Sequence, residues 1–193
     1  NLVVNSLNTK NFIYKNHEIF IIENAYNLIK LSNSRTNNYD NRLKIIILAS
    51  LSKVKQPLEF YKVIYELRDD LPKELSIDWY GNVKEDNYGL LLNNYVKNNP
   101  LKIFNFHEAQ KNVFSVIKNF GTGLLVSKFE GSPNVALDYS ISNLFIVGTQ
   151  GIGLESYTDS NFLIKDINKN SVSKLFDNLK KISSKNFNKN IKK

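Results

Sequence analysis

Two carboxylates and a helix start lie close together in residues 129–138, which have the sequence FEGSPNVALD. Glu130 comes first, and Asp138 follows eight positions later, one helical turn beyond Asn134. Pro133 suits a first helical turn, because its φ is fixed and its missing N–H would have no partner there. The free N–H groups and the dipole of a helix N-terminus attract an anion, which a carboxylate would repel. We therefore expect Glu130 and Asp138 to accept hydrogen bonds from hydroxyls, and phosphate plus several hydroxyls describes a sugar nucleotide.

The hydrophobic pattern of the sequence predicts the strands and helices that position residues 129–138. Short apolar runs predict strands over residues 45–49, 76–80, 102–106, 123–126 and 144–147. Helical periodicity and breakers predict helices over residues 57–67, 87–96, 112–118, 134–142 and 171–184. Such alternation predicts an α/β fold, with a Rossmann-like parallel sheet and helices on both faces. Ligands of such sheets bind beyond the carboxyl ends of the strands, so we expect the site in the loops that follow them.

Residues 129–138 also resemble the signature of retaining "group 1" glycosyltransferases with the GT-B fold, in which two Glu residues are separated by seven others. Glu130 and Asp138 take those two places, in register with the Gly, Pro and Asn of the motif. The resemblance implies that Glu130 hydrogen-bonds hydroxyls of the donor sugar and that Asp138 hydrogen-bonds the ribose. Glu130 is the one residue to which it gives a catalytic role. It assigns the loop that faces sugar and diphosphate to Gly131, Ser132, Pro133, Asn134 and Val135.

A second loop carries the resemblance further and also departs from it. Residues 49–55, ASLSKVK, are similar to a Gly-Arg-Leu-x-x-x-x-Lys motif whose Arg and Lys hold the donor diphosphate. Lys55 matches the Lys and is implied to bind phosphate. Ser50 stands in place of the Arg and Ala49 in place of the Gly. The departure matters because Ser supplies neither a charge nor a bidentate fork.

Other loops match less completely. Gly81 matches a glycine after the second strand of the domain, and residues 151–155, GIGLE, look like a Gly-Gly-x-x-Glu motif near the hinge side of the cleft. His107 lies in the loop that borders the nucleobase in these enzymes, but the usual Gly is missing. We interpret His107 as a loop residue near the cleft rather than a general base. Trp79, in an apolar strand, is predicted to be core.

The resemblance divides the chain into three parts. Residues 1–23 would be the hinge and the end of an N-terminal domain, residues 24–184 the nucleotide-sugar-binding domain, and residues 185–193 a basic tail. Asn24 matches a hinge position, whereas Asn27 stands where Asp is usual. An acceptor domain that forms half of the usual enzyme is expected to lie outside this chain.

Charge is unevenly distributed along the chain. The net charge is +8, and seven Lys against one Asp from Lys174 onward account for +6 of it. The near-neutral remainder does not resemble a nucleic-acid domain with a broad basic face. Two interpretations of the tail stay open, contact with an anionic membrane surface and a solvated chain end. Without an apolar stretch of about twenty residues or a secretory signal, we expect a cytoplasmic protein, with peripheral contact at the inner face of the membrane as an option.

Two chemical alternatives are weighed against sugar transfer. The chain has no Cys and only His17 and His107, so neither a metal site nor a thiol nucleophile is expected. In a glycosidase, Glu130 and Asp138 would be acid and nucleophile, which requires two carboxyls that face each other across a bond. The diphosphate site implied between them favours transfer.

The sequence thus predicts the donor-binding domain of a glycosyltransferase that moves a sugar, with retention, from a nucleoside diphosphate sugar to a glycan or lipid-linked acceptor. No cofactor is expected, and uridine diphosphate is favoured over guanosine diphosphate as the sugar carrier. The alternative is a non-catalytic nucleotide- or glycan-binding module, because Ser50 and the His107 loop depart from the family pattern. A nucleic-acid-binding domain would rest only on the pI of about 9.4. A bacterial polysaccharide pathway is suggested by analogy alone.

Overall fold

The computed structural model describes residues 2–4, 19–21, 41–84, 86–130 and 133–182. The two N-terminal segments are strands β1 (Leu2–Val4) and β2 (Ile19–Ile21), which pair in parallel. The predicted domain boundaries near residues 23 and 184 lie outside the described residues, as do Asn24 and Asn27 of the predicted hinge.

The remaining strands form one sheet of six, in the order β5-β4-β3-β6-β7-β8, and every neighbouring pair is parallel. These strands are β3 (Lys44–Leu48), β4 (Ser76–Tyr80), β5 (Phe104–His107), β6 (Thr122–Leu125), β7 (Phe145–Thr149) and β8 (Leu163–Ile164). The central strands are apolar runs buried on both faces, as a covered parallel sheet requires. The predicted Rossmann-like parallel sheet is therefore confirmed.

Five α-helices connect or follow these strands. They are α1 (Pro57–Leu67), α2 (Asn87–Asn98), α3 (Val113–Ile117), α4 (Asn134–Ile141) and α5 (Lys169–Lys181). Asp86 and Asn168 cap α2 and α5 by accepting from a backbone N–H with their side chains, which is why these two helices begin where they do. None of the helices in the described ranges is long and apolar enough to cross a membrane.

Alternating residues of the strands build one hydrophobic core on each face of the sheet. On one face Ile45, Ile47 and Trp79 pack with apolar side chains of α1, α2 and α5. On the other face Ile46 packs with side chains of α3 and α4, among them the fully buried Tyr139. The prediction of helices on both faces is confirmed, and Trp79, with no exposed area, belongs to the core as predicted.

The strand order places a reversal between β3 and β6. From β3 the chain runs outward through β4 to β5, then crosses back to the other side of β3 and continues through β6, β7 and β8. The connections that leave β3 and β6 therefore lead to opposite edges of the sheet. In open α/β sheets this reversal leaves a crevice beyond the carboxyl ends of the two strands, where ligands bind.

Three details differ from the sequence prediction. His107 is the last residue of β5 rather than a loop residue, because it pairs in register with Tyr80 of β4. Pro133 precedes α4 as its N-cap instead of forming its first turn. The two-residue strand β8 was not predicted, because Leu163 and Ile164 form too short an apolar run to separate from a loop.

Candidate functional site

The two strands at the reversal separate before they end. β3 pairs with β6 only through Ile45–Thr122 and Ile46–Gly123, whereas it pairs with β4 over five residues. Beyond this point the N–H of Leu48 donates to the hydroxyl of Tyr139 at 2.9 Å. The same hydroxyl donates to the carbonyl of Ile46 at 3.2 Å. Tyr139 therefore takes over a backbone partner that β6 would otherwise supply.

Tyr139 fits beneath the sheet because β6 has a glycine at the contact. A Cβ on Gly123 would lie 2.2 Å from a ring carbon of Tyr139, so no other residue would leave room for the ring. Burial raises the pKa of the Tyr139 hydroxyl, an effect that the backbone hydrogen bond from Leu48 only partly offsets. The hydroxyl is therefore neutral at physiological pH and can both donate and accept.

A cavity of about 210 Å³ opens where the strands separate. Its walls are the last residues of β3 and β6, the side of Trp79, and the chain that leads into α4. Whole small-molecule pockets usually measure roughly 300–1,000 Å³, so this cavity suits one portion of a larger ligand. Its lining brings together five residues predicted from the sequence: Lys55, Glu130, Pro133, Asn134 and Val135.

Lys55 reaches the cavity because the loop after β3 is held from both sides. The N–H of Leu51 donates to the carbonyl of Asn82 in the loop after β4, at 3.0 Å. The N–H of Lys128, in the loop after β6, donates to the carbonyl of Val54 at 2.8 Å. Residues Lys53–Lys55 form a 3-10 turn that contains the second of these anchors, Val54. The backbone of Lys55 is thus fixed at the mouth of the crevice.

Glu130 faces Lys55 across the cavity. Lys55 Nζ forms an ion pair with Glu130 Oε1, and the hydroxyl of Ser127 donates to the same oxygen at 2.7 Å. The Lys55 and Glu130 side chains are 24% and 16% exposed, so water screens the pair only partly. Seventy-five positions separate the two residues in the sequence, and the strand order is what joins them.

The N-terminus of α4 closes the third side. No described side chain caps this helix, and its first residues, Asn134 and Val135, line the cavity. A helix N-terminus acts as about half a positive charge, and Lys55 contributes one full charge. Together they oppose most of the two negative charges of a diphosphate diester. Glu130 supplies a carboxylate that accepts from hydroxyls.

The other predicted site residues lie elsewhere or outside the description. Gly131 and Ser132 are among the residues that the structure does not describe. Asp138 is half-buried on α4 and does not line the cavity. Ser50 is exposed, with its hydroxyl 3.3 Å from that of Ser52. Gly81 packs on the turn after β3, where an added Cβ would lie 1.8 Å from the carbonyl oxygen of Ala49.

His107 belongs to a separate polar cluster between β4 and β5. Its Nε2 lies 2.6 Å from Oδ1 of Asp78, and its ring stacks on Tyr80 with the ring centres 4.4 Å apart. The hydroxyl of Ser76 donates to Oδ2 of Asp78 at 2.8 Å. Burial and then the charge of Asp78 raise the pKa of Tyr80. None of these four residues lines the cavity.

Sequence reasoning missed two residues of the site. Ser127 was overlooked, although a hydroxyl directly after the apolar run 124–126 and three positions before Glu130 is a usable signal. Tyr139 gave no signal, because its partners on β3 lie more than ninety positions away in the sequence. Among the described residues no group of three His, Asp or Glu side chains is placed to hold a metal ion.

Comparison with known proteins gives structural matches without sequence matches. No protein-family model and no curated protein sequence matches the chain. HepE from Anabaena, solved with UDP and glucose, superposes with a TM-score of 0.76 at 14% identity, over 96% of this chain and 54% of HepE. The pneumococcal O-GlcNAc transferase GtfA, solved with UDP and GlcNAc, gives 0.67 at 20% identity, over 90% of this chain and 37% of GtfA.

A glycosyltransferase from Rickettsia africae gives a TM-score of 0.75 at 13% identity, over 92% of this chain and 52% of that enzyme. The chain therefore has the fold of one portion of a GT-B glycosyltransferase, as the resemblance implied. It spans about half of the length of HepE and of the Rickettsia enzyme, and less of GtfA.

Proposed function

We propose that this chain is the donor-binding domain of a glycosyltransferase and that a nucleoside diphosphate sugar binds in the crevice between β3 and β6. The observation that carries the proposal is the pairing of Lys55 with Glu130 across a cavity at the reversal of strand order. The cation and the helix N-terminus match the diphosphate of such a donor, which is also part of the leaving group, and the carboxylate matches its sugar hydroxyls.

The residues divide the work by charge. Lys55 and the N–H groups at the start of α4 bind the diphosphate and stabilise the negative charge that develops on it as the sugar leaves. Glu130 accepts hydrogen bonds from sugar hydroxyls, and Asp138, following the resemblance, accepts from the ribose. HepE and GtfA were solved with UDP and a sugar, which supports UDP as the carrier in this chain too.

Lys55 can serve two partners at the same time. Its ammonium pairs with Glu130. Because an ammonium has three donor hydrogens, it can keep the carboxylate and also donate to a phosphate oxygen. Glu130 thus holds Lys55 at the position where the diphosphate arrives, which reduces the entropy lost on binding.

Retention at the anomeric carbon, and a glycan or lipid-linked acceptor, are proposed from the sequence resemblance. In a two-domain enzyme the reacting atoms are positioned between the domains, and positioning supplies much of the rate. We therefore expect the 193-residue chain alone to bind a donor but to transfer no sugar.

A second candidate function, a binding module without transfer, is favoured by one observation. Ser50 takes the place of the family's Arg and faces solvent beside Ser52, so the loop after β3 supplies one cation to the cavity rather than two. Such a site would bind a nucleotide sugar without stabilising the leaving diphosphate fully.

Isothermal titration against a nucleotide panel tests the proposed function. UDP, GDP, ADP, UDP-glucose, UDP-N-acetylglucosamine and single-stranded DNA would be added to the purified chain. We expect a uridine nucleotide to bind more tightly than the other bases and DNA not to bind at physiological salt. Binding of DNA alone would reject the proposal in favour of a basic nucleic-acid-binding domain.

A further inference from the structure

We propose that Ser127 is a positioning residue for Glu130, which fixes one carboxylate oxygen so that the other is presented to the donor sugar. The inference rests on the proposed function, because it assigns the sugar-binding atom of that same site. It adds a residue that was assigned neither by the sequence pattern nor by the resemblance.

The hydroxyl of Ser127 is buried, and its one hydrogen is already donated to Glu130. Ser127 is 4% exposed and follows directly on the buried residue Val126 at the end of β6. It donates its single hydrogen to Oε1 of Glu130 at 2.7 Å. Because an ionised carboxylate is only an acceptor, the hydrogen belongs to Ser127, which then has none left to offer a ligand. Ser127 therefore acts on a sugar through Glu130.

The two oxygens of Glu130 are used differently. Oε1 accepts from both Ser127 and Lys55, whereas Oε2 accepts from no residue that the structure describes. Two donors on one oxygen fix the plane of the carboxylate and leave the second oxygen to take a hydroxyl. This arrangement matches a pre-organised acceptor, whose rotamer is fixed before the ligand arrives.

The backbone under Ser127 is itself held in place. The hydroxyl of Thr149, at the end of β7, donates to the carbonyl of Ser127 at 2.7 Å, and Thr149 is 5% exposed. The hydrogen bonds from Thr149 to Ser127 and from Ser127 to Glu130 therefore link the ends of two neighbouring strands to the cavity. Replacing Thr149 by the equally large Val would remove this support without opening a void.

Calorimetric titration of the full chain with UDP and UDP-glucose tests the assignment. Ser127→Ala should weaken UDP-glucose roughly three- to tenfold, the range of a single hydrogen bond, and change UDP less than about twofold. Thr149→Val should act in the same direction with a smaller effect. Ser115→Ala removes an exposed hydroxyl outside the cavity lining and should change neither affinity.

A double-mutant cycle separates positioning from direct contact. If Ser127 acts through Glu130, Ser127→Ala should cost nothing further in a Glu130→Ala background. A further loss of UDP-glucose binding in that background would overturn the assignment, and so would an equal loss of UDP and UDP-glucose in the single variant.

The same cycle measured without ligand distinguishes failure of this inference from failure of the proposed function. If the wild type binds no uridine nucleotide, the proposed function fails. Urea unfolding of the wild type, the two single variants and the double variant then still tests whether Ser127 and Glu130 interact. Midpoint shifts smaller in the double variant than the two single shifts combined would support the Ser127–Glu130 link. Additive shifts would overturn it.

Discussion

Two acid–base pairs lie between neighbouring strand ends of this sheet, and their surroundings differ. Lys55 and Glu130 face a cavity beside the N-terminus of α4, which no described side chain caps. His107 and Asp78 lie between β4 and β5, where Asp78 also accepts from Ser76. No described residue donates to Oε2 of Glu130 in the first pair, whereas both carboxylate oxygens of Asp78 in the second have side-chain partners.

Strand pairing explains the difference. β4 and β5 stay in register through four pairs, up to Tyr80 and His107, so polar side chains between them meet only one another. β3 and β6 part after two pairs, and a tyrosine hydroxyl from α4 replaces the missing backbone partner. A ligand can enter only where the strands separate. The position at the reversal of strand order, rather than the presence of an ion pair, is thus the reason why we propose Lys55 and Glu130 as the functional pair.

The largest effect expected from this comparison is that of Lys55→Ala. Among the described residues, Lys55 is the only lysine that lines the cavity, and charged hydrogen bonds contribute about 1.5–3 kcal/mol, so UDP should bind roughly ten- to a hundredfold more weakly to the variant. Calorimetry measures this directly. Lys53→Ala, two positions earlier and exposed, is the matched control and should change the affinity little.

A larger effect of Lys53→Ala, or no effect of either substitution, would change the interpretation of the loop after β3. If Lys53→Ala loses more affinity than Lys55→Ala, Lys53 occupies the place of the missing Arg. If neither substitution weakens UDP binding, the diphosphate does not bind beside this loop, and the proposed site is wrong.

Tyr139→Phe should have the next largest effect. It leaves the half-buried N–H of Leu48 without its partner, which costs about 1–3 kcal/mol of the free energy of unfolding. Urea unfolding measures the loss. Tyr65→Phe, at a half-buried position of α1, is a control, because its hydroxyl makes no hydrogen bond to any residue that the structure describes. A loss no larger than that of the control would mean that Tyr139 does not hold the separated strands.

Much of the fold follows from local sequence, and the site follows only in part. The apolar run at residues 45–47 and the stripe of α1 predict their elements because burial dictates both patterns. The order of the strands cannot be read from such runs, and that order is what brings Lys55 to Glu130. Pairing also decided that His107 ends a strand, since its partner Tyr80 lies on the neighbouring strand.

The residues that support the site were harder to predict than those that line it. Lys55 and Glu130 belong to motifs with recognisable spacing. Ser127 and Tyr139 act through a single hydroxyl each, and a hydroxyl can be predicted only together with its partner. Ser127 lies three positions before Glu130 and could have been found, whereas no partner of Tyr139 lies nearby in the sequence. For Tyr139 that partner is a backbone N–H on a distant strand.

A smaller effect is expected from Ser50→Arg, which restores the cation of the family pattern. The new guanidinium should tighten UDP binding by about tenfold at low salt, through charged hydrogen bonds to the diphosphate. Because Ser50 is exposed, the gain should shrink as salt rises from about 10 to 500 mM. Ser50→Lys provides the same charge without the bidentate fork and should gain less. No gain at any salt would place the diphosphate away from Ser50.

The smallest effect is expected from the second acid–base pair. The His107 side chain is 37% exposed, so its coupling to Asp78 should be only about 0.2–1 kcal/mol of unfolding free energy in a double-mutant cycle of Asp78→Asn and His107→Gln. Neither variant should change UDP affinity as much as Lys55→Ala does. A tenfold loss of UDP affinity with His107→Gln would make this cluster part of the nucleotide site and would contradict the proposed difference between the two acid–base pairs.

The measurement that tests the central claim most directly compares UDP with UDP-glucose on the wild type and on Glu130→Ala. Glu130→Ala should weaken UDP-glucose roughly ten- to a hundredfold, because the sugar hydroxyls lose a charged acceptor. UDP itself should lose much less, since it has no sugar hydroxyls and loses only the contact by which Glu130 positions Lys55. Asp177→Ala, on the exposed side of α5, should leave both affinities unchanged. Equal weakening of UDP and UDP-glucose by Glu130→Ala would contradict the assignment of Glu130 to the sugar.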